Sequence, residues 1–230
     1  MAWPRNPLRW VPLVAALLSL DIVVAVGLRL RRVHGAVALD VRSARPVFSH
    51  AFGLSLVPVR VANQFVKLGN PTPYAAMVLA LVVLAAWKRD WLGIAAALGG
   101  PAVSVFAAEH LKTVFGRTEG GGDAYPSGHT TALTALAAVV IIVAWRRWGP
   151  RSLAVTGPLG AVLSIGMVLT VVRLHDHLMS DALAGVLLGA AVVVGIATLA
   201  SFVLPRRNRP APPPGPGSSP GTSRRDPIPG

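Results

Sequence analysis

Cysteine is absent from this 230-residue chain. Disulfides, a thiol nucleophile and a thiolate metal site are therefore excluded, and the redox compartment leaves no mark on the sequence. Charge is also scarce. Only 13% of residues are charged, and Asp+Glu number nine against 22 Lys+Arg. What fills the space is apolar: 53% of residues are hydrophobic and the mean hydropathy is +0.59. Soluble domains of this size do not have that composition, and here the apolar residues are gathered in blocks, as membrane spans require.

The formal net charge of +13 invites a nucleic-acid reading. The placement of the basic residues argues against it, because they cluster at the ends of apolar segments, where they act as topology signals and contacts for anionic headgroups. Arginine far outnumbers lysine, and Ala, Val, Gly and Pro are abundant. Such usage suits a GC-rich bacterial genome.

Six apolar segments are expected to form an all-α, polytopic membrane bundle. The first is Val11 to Leu28, followed by Arg29, Arg31 and Arg32; that dense flank marks an uncleaved helix rather than a signal peptide. Asp21 inside it is costly in lipid and is expected to face the bundle. Residues 29–70 form a long connection in which Val47 to Leu68 is expected to be an interfacial amphipathic helix. The further spans are Tyr74 to Trp87, Trp91 to Leu111 with an expected kink at Gly99-Gly100-Pro101, Thr130 to Trp145, Gly157 to Val172 and Asp181 to Leu204. Beyond Arg206-Arg207 the chain turns to Pro, Gly, Ser and Arg, and residues 205–230 are expected to be a disordered tail. Six spans put both termini on one side. The N-terminus, Lys88-Arg89, the Arg146/Arg147/Arg151 loop and the tail are basic and read as cytoplasmic, although the outward 29–70 loop is basic too.

Two polar islands then face outward together. In Pro126-Ser127-Gly128-His129, Ser127 and Gly128 lie just before a helix, where free N–H groups and the helix dipole attract an anion. Lys112 and Arg117 lie upstream and can add donors and charge. His129 can give a proton to a leaving oxygen. The second island, Arg173 to Asp181, places His177 four residues before Asp181, so the two share a helix face or a helix-start turn. A carboxylate beside an imidazole fixes its tautomer and frees the other nitrogen to attack phosphorus. Arg173 can hold phosphoryl oxygens, on which charge builds in the transition state. His175-Asp176-His177 looks like a metal site, but histidines two apart on a helix point to different faces. No metal is expected. His34, His50 and His110 read as surface or interfacial residues, and Glu119 and Asp123 as solvated loop acids.

This combination resembles the type 2 phosphatidic acid phosphatase (PAP2) superfamily, over residues 91–204. The family pattern is Lys, six residues, Arg-Pro; then Pro-Ser-Gly-His; then Ser-Arg, five residues, His, three residues, Asp. Pro126 to His129 match the second part, His177 and Asp181 the end of the third, and Lys112 the start of the first. Glu119 and Gly120 stand where the family has Arg-Pro, and Thr170 and Val171 where it has Ser-Arg. Arg117 and Arg173 are the nearby arginines. The resemblance implies a transmembrane phosphatase domain over 1–204, working without metal or cofactor. His177 would be the nucleophile, Asp181 its orienting carboxylate and His129 the general acid. Lys112, Arg117, Ser127, Gly128 and Arg173 would bind phosphate. The expected substrate is a lipid phosphate or polyprenyl pyrophosphate, met at the extracytoplasmic bilayer face. The competing expectation is a weakened or inactive relative that binds lipid phosphate. A small transporter, built on Asp21 and the broken third span, ranks last because the sequence has no internal repeat.

Overall fold

A computed structural model describes residues 10–48, 50–51, 54–55, 57–119 and 122–204. The tail expected to be disordered lies outside the described residues.

Eight α-helices carry the fold: α1 Val11–Arg29, α2 Ala38–Phe48, α3 Val59–Phe65, α4 Pro71–Trp87, α5 Trp91–Phe115, α6 Gly128–Trp148, α7 Leu153–Arg173 and α8 Met179–Val203. Two short antiparallel pairs interrupt them, β1 His50–Ala51 with β2 Leu54–Ser55 and β3 Thr118–Glu119 with β4 Gly122–Asp123. Five helices, α1, α5, α6, α7 (with the short 3₁₀ turn before it) and α8, are long and apolar enough to cross a bilayer. A sixth span is available if Val59–Gly69 and α4 act as one, with a bend of 58° between them. The apolar blocks of the sequence thus become helices, each one or more residues longer than its hydropathy alone suggests.

Helix α6 is the centre, packing against α5, α7 and α8, while α1 docks on α8 and α4 on α5. Two glycines allow α8 to approach α6 closely. A methyl group on Gly185 would lie 2.6 Å from the Ser127 carbonyl oxygen and overlap the Thr130 hydroxyl. One on Gly189 would meet the Thr131 carbonyl and lie 3.0 Å from the Ala135 amide nitrogen. This is the small-residue packing that lets membrane helices touch backbone to backbone, and it presses the start of α8 onto the start of α6.

Two expectations change. Val47 to Leu68 is not one amphipathic helix: α2 ends at Phe48 and α3 starts anew after Pro58. Pro58 is extended (φ −60°, ψ 136°) and caps the new helix. Asp21 does not face the bundle but is exposed. The packed stripe of α1 is Ala16, Val23 and Gly27, and two residues back from Val23 lies about 200° around the helix. The third span forms α5, with Pro101 inside the helix.

At the basic end, Arg146 grips Asp90 through Nε (2.9 Å to each carboxylate oxygen) and Nη2 (2.6 Å to Oδ1). This joins the α4–α5 turn to the end of α6, at the end of the bundle opposite both histidine loops.

The close crossing is testable. Gly185→Val should lower the thermal midpoint of the detergent-purified protein by the equivalent of about 1–3 kcal/mol or more. Gly99→Ala should leave it unchanged or slightly raised, because its added carbon would meet Ile196 at an ordinary 3.6 Å.

Candidate active site

The site is assembled from three stretches far apart in sequence. The first is the end of α5. Gly116, at φ +58°, closes the helix in the left-handed region with its N–H on the Lys112 carbonyl, so the chain turns sharply and aims Arg117 inward. The second is the strand-like segment 32–35, which lies alongside 115–118. Arg32 N–H donates to the Phe115 carbonyl (3.1 Å) and Gly35 N–H to the Thr118 carbonyl (3.1 Å), while His34 Nδ1 meets Thr118 Oγ1 at 2.6 Å. The third is the turn between α7 and α8. Helix α7 stops at Arg173, and His175 takes φ +60°.

Arg117 ties these together. It is fully buried, and so are its partners Asp40 and Asp181. Nη2 donates to Asp40 Oδ2 (2.7 Å) and to the Gly35 carbonyl (3.3 Å). Nη1 donates to Asp181 Oδ1 (2.5 Å) and to Ser180 Oγ (2.6 Å). Asp40 also accepts the Ser180 amide at 2.9 Å and the Val37 amide at 3.2 Å. Burial pushes the Asp40 carboxyl up, but the donors from Ser180, Arg117 and Val37 outweigh it and hold its pKa below the usual carboxylate value.

The Pro-Ser-Gly-His loop hangs from this cluster. Ser127 N–H donates to the Asp181 backbone carbonyl at 3.0 Å, and the Ser127 carbonyl accepts from the Thr131 hydroxyl at 2.7 Å. The Ser127 hydroxyl itself is buried with no hydrogen-bond partner. Lys112 reaches the first residue of α6: its Nζ lies 3.5 Å from where a Gly128 Cβ would stand. His129 packs against Gly69, at the bend before α4, and lies within electrostatic reach of Asp176, Lys112 and Glu109.

His177 completes the group. Burial is the main reason its pKa falls to about 4; the charges of Lys112 and His129 push the same way and the Ala124 backbone opposes them. The imidazole is therefore neutral at physiological pH. Its Nδ1 is buried and unpartnered. Lys112, Ser127, Gly128, His129 and His177 thus converge at one end of the bundle. Among the described residues, no group of three or more His, Asp or Glu side chains is placed to hold a metal ion.

Two side chains, Arg117 and Asp181, are placed differently from the sequence reading. Arg117 does not point at an open phosphate site; the left-handed turn at Gly116 buries it among carboxylates. Asp181 does not hold the His177 ring; its oxygens accept from Arg117 and from the Leu178 amide (3.2 Å), the stronger donor being the guanidinium. Arg173, the last residue of α7, donates Nε–H to the Val57 carbonyl at 3.3 Å. His175 and Asp176 lie in a turn rather than on a helix.

The sequence reading missed two residues. Glu109 had a signal, since it sits three before Lys112 on the same face of α5. Asp40 had none, because its partners are 77 and 140 residues away.

Removing Arg117 strands two buried carboxylates. Arg117→Met should destabilise the detergent-purified protein by about 3–5 kcal/mol, or prevent its folding. Asp40→Asn, which leaves a one-to-one pair with Asp181, should cost clearly less. Equal thermal midpoints for wild type and Arg117→Met would refute this role.

A family model described as the PAP2 superfamily matches residues 74–204, more than half of the chain. The fold is similar to that of a transmembrane PAP2-type phosphatidylglycerolphosphate phosphatase from Bacillus subtilis, with a TM-score of 0.64 at 14% identity, covering 86% of this chain and 100% of that one. At that identity the likeness speaks for the fold. Comparison with curated proteins gave no match. With the Pro-Ser-Gly-His loop, His177 and Lys112 brought to one end of a bundle of apolar helices, and the family match running through all of them, the chain is a multi-pass membrane protein that belongs to the PAP2 superfamily of phosphatases.

Proposed function

We propose that the protein hydrolyses a lipid phosphate monoester or pyrophosphate at the extracytoplasmic face of the membrane, through a phosphohistidine on His177. The observation that carries this reading is the convergence of a neutral, half-buried His177 with Lys112, His129 and the N-terminus of α6. A neutral imidazole has the lone pair that attack on phosphorus needs. Lys112 and the amides of the first turn of α6, from Gly128 onward, supply positive potential for the phosphoryl oxygens, whereas the Ser127 amide is held by the Asp181 carbonyl.

The proposed reaction has two halves. A ring nitrogen of His177 bonds to phosphorus as the bond to the leaving oxygen breaks, and that oxygen takes a proton from His129. Water then attacks the phosphohistidine. His129 accepts the water proton, the P–N bond breaks, and inorganic phosphate leaves with His177 restored. Asp181 acts on this chemistry from a distance: its carboxylate caps the start of α8 and holds Arg117, which fixes the turn that presents His177. No metal or cofactor enters the scheme.

The basic turns at Lys88-Arg89 and Arg146-Arg147 lie at the end of the bundle away from the histidines, which supports an outward site with cytoplasmic termini. A site at the bilayer edge suits a substrate with its tail in lipid and its phosphate in water. Phosphatidic acid, phosphatidylglycerol phosphate and undecaprenyl pyrophosphate are the substrates to test. A second reading, lipid-phosphate binding without turnover, is favoured by one observation. The guanidinium of Arg117 is committed to carboxylates, so Lys112 carries the charge beside the phosphate loop.

The deciding measurement is inorganic phosphate release by detergent-purified protein from those three lipids, with a chelator present. Release should persist in chelator, fall by at least about 10⁴-fold in His177→Ala and by about 10²–10⁴-fold in His129→Ala. Binding of all three lipids with no release would establish the second reading.

The acidity of His177 sets the pH profile. Protonation removes the attacking lone pair, so activity is lost as pH falls through the folded pKa of about 4. The acid limb of kcat/KM assigned to this group should therefore lie well below the 6.5 of an ordinary histidine. An acid limb at 6 or above, absent from the pH dependence of the lipid itself, would contradict it.

A further inference from the structure

We infer that Glu109 is a built-in competitor for the phosphate site, a carboxylate that occupies Lys112 until a phosphate displaces it. This rests on the reading of Lys112 and the α6 N-terminus as the phosphate site and adds to it a residue that sets how tightly anions are held.

Glu109 and Lys112 lie one turn apart on α5, with Oε1 2.7 Å from Nζ. That alone would be an ordinary helix-surface pair. Two further facts distinguish it. The carboxylate lies on the phosphate loop: Glu109 Oε1 is 3.1 Å from where a Cβ on Gly128 would stand, closer than Lys112 Nζ itself. An anionic oxygen thus sits against the first residue of α6, where unpaired helix amides and the dipole favour negative charge. The pair is also lopsided in exposure. The Lys112 side chain is 17% exposed and that of Glu109 58%. The ammonium is held within the site, while the carboxylate stands at its mouth with more than half of its side chain open to water.

A resident carboxylate of this kind has a definite effect. A phosphate dianion carries more charge and more acceptor oxygens than a carboxylate, so it wins Lys112, but it must first displace Glu109 and then tolerate that charge nearby. All phosphates therefore bind more weakly than Lys112 alone would allow. The product, inorganic phosphate, has no lipid tail to compensate and is weakened without relief. Glu109 thereby keeps the site from being blocked by its own product, and keeps Lys112 paired while the site is empty. Of the neighbouring titratable groups, His129 lies within electrostatic reach of Glu109, Lys112 and Asp176 and His177 within reach of Lys112 and His129, while the 2.7 Å pairing of Lys112 is with Glu109.

The test uses inorganic phosphate as the probe and the full-length protein in detergent. Binding is read from the rise in thermal midpoint with phosphate concentration at constant ionic strength, with sodium chloride as the control. Glu109→Gln should bind phosphate about three- to tenfold more tightly than wild type, and Lys112→Met at least tenfold more weakly. In the Lys112→Met background, adding Glu109→Gln should change affinity less than twofold. If Lys112→Met loses phosphate while Glu109→Gln binds it no more tightly than wild type, the competitor role is wrong and the phosphate site stands. If neither Lys112→Met nor Glu109→Gln alters phosphate binding, or no variant binds it, the phosphate reading of this site fails and the inference with it.

Discussion

A guanidinium in a membrane-protein interior cannot shed its proton, so a buried arginine must be met by anions or not be buried at all. Arg117 is met by two, from positions 77 residues upstream and 64 downstream. Much of the site's geometry follows from that demand. Asp40 can reach Arg117 only if the chain after α1 folds back along 115–118 and α2 lies over the end of the bundle. Asp181 can reach it only if α8 starts beside the α5–α6 loop. Once α8 starts there, the Asp181 carbonyl is in place to take the Ser127 amide, and the glycines of α8 let the two helix starts press together. Such a cluster adds little net stability over well-packed apolar side chains, because desolvation offsets most of the Coulomb attraction. What it adds here is position, since three segments with no local reason to meet are held at one point.

This explains which parts of the molecule were legible in the sequence. Span positions are local properties of hydropathy, and the apolar blocks became α1 and α4 to α8 with ends shifted by a few residues. The Pro-Ser-Gly-His loop is local too, since turn residues followed by a helix fix its shape. Arg117 was misplaced because spacing along a line cannot register a change of direction. The left-handed residue at Gly116 re-aims the next side chain, and an arginine that looked like a displaced phosphate ligand becomes an internal tie. Asp21 failed for a related reason. The expectation that charge faces inward ignored which residues of α1 are small enough to pack, and Ala16 and Gly27 had already decided the rotation of the helix. Asp40 was beyond reach, because a lone carboxylate in a long basic connection looks like any other.

The departures from the family pattern can now be weighed physically. A phosphatase of the proposed kind has two electrostatic needs. Its nucleophile must be neutral, and charge developing on the phosphoryl oxygens must be balanced. Cations near a histidine serve both at once, which makes a site poor in arginine look doubly compromised. In this chain the two needs fall to different groups. Burial is the largest cause of the low pKa of His177, with Lys112 and His129 adding to it. Losing arginines at the family positions therefore leaves the proposed nucleophile neutral. Balancing transition-state charge is where the loss is felt, because there Lys112 and the α6 N-terminus stand without Arg117. The cost belongs in the rate of the chemical step, not in the protonation state that permits it. An arrangement of this kind can remain poised for catalysis while working slowly, and Glu109, by loosening inorganic phosphate, acts on the one step such a site can still make easy.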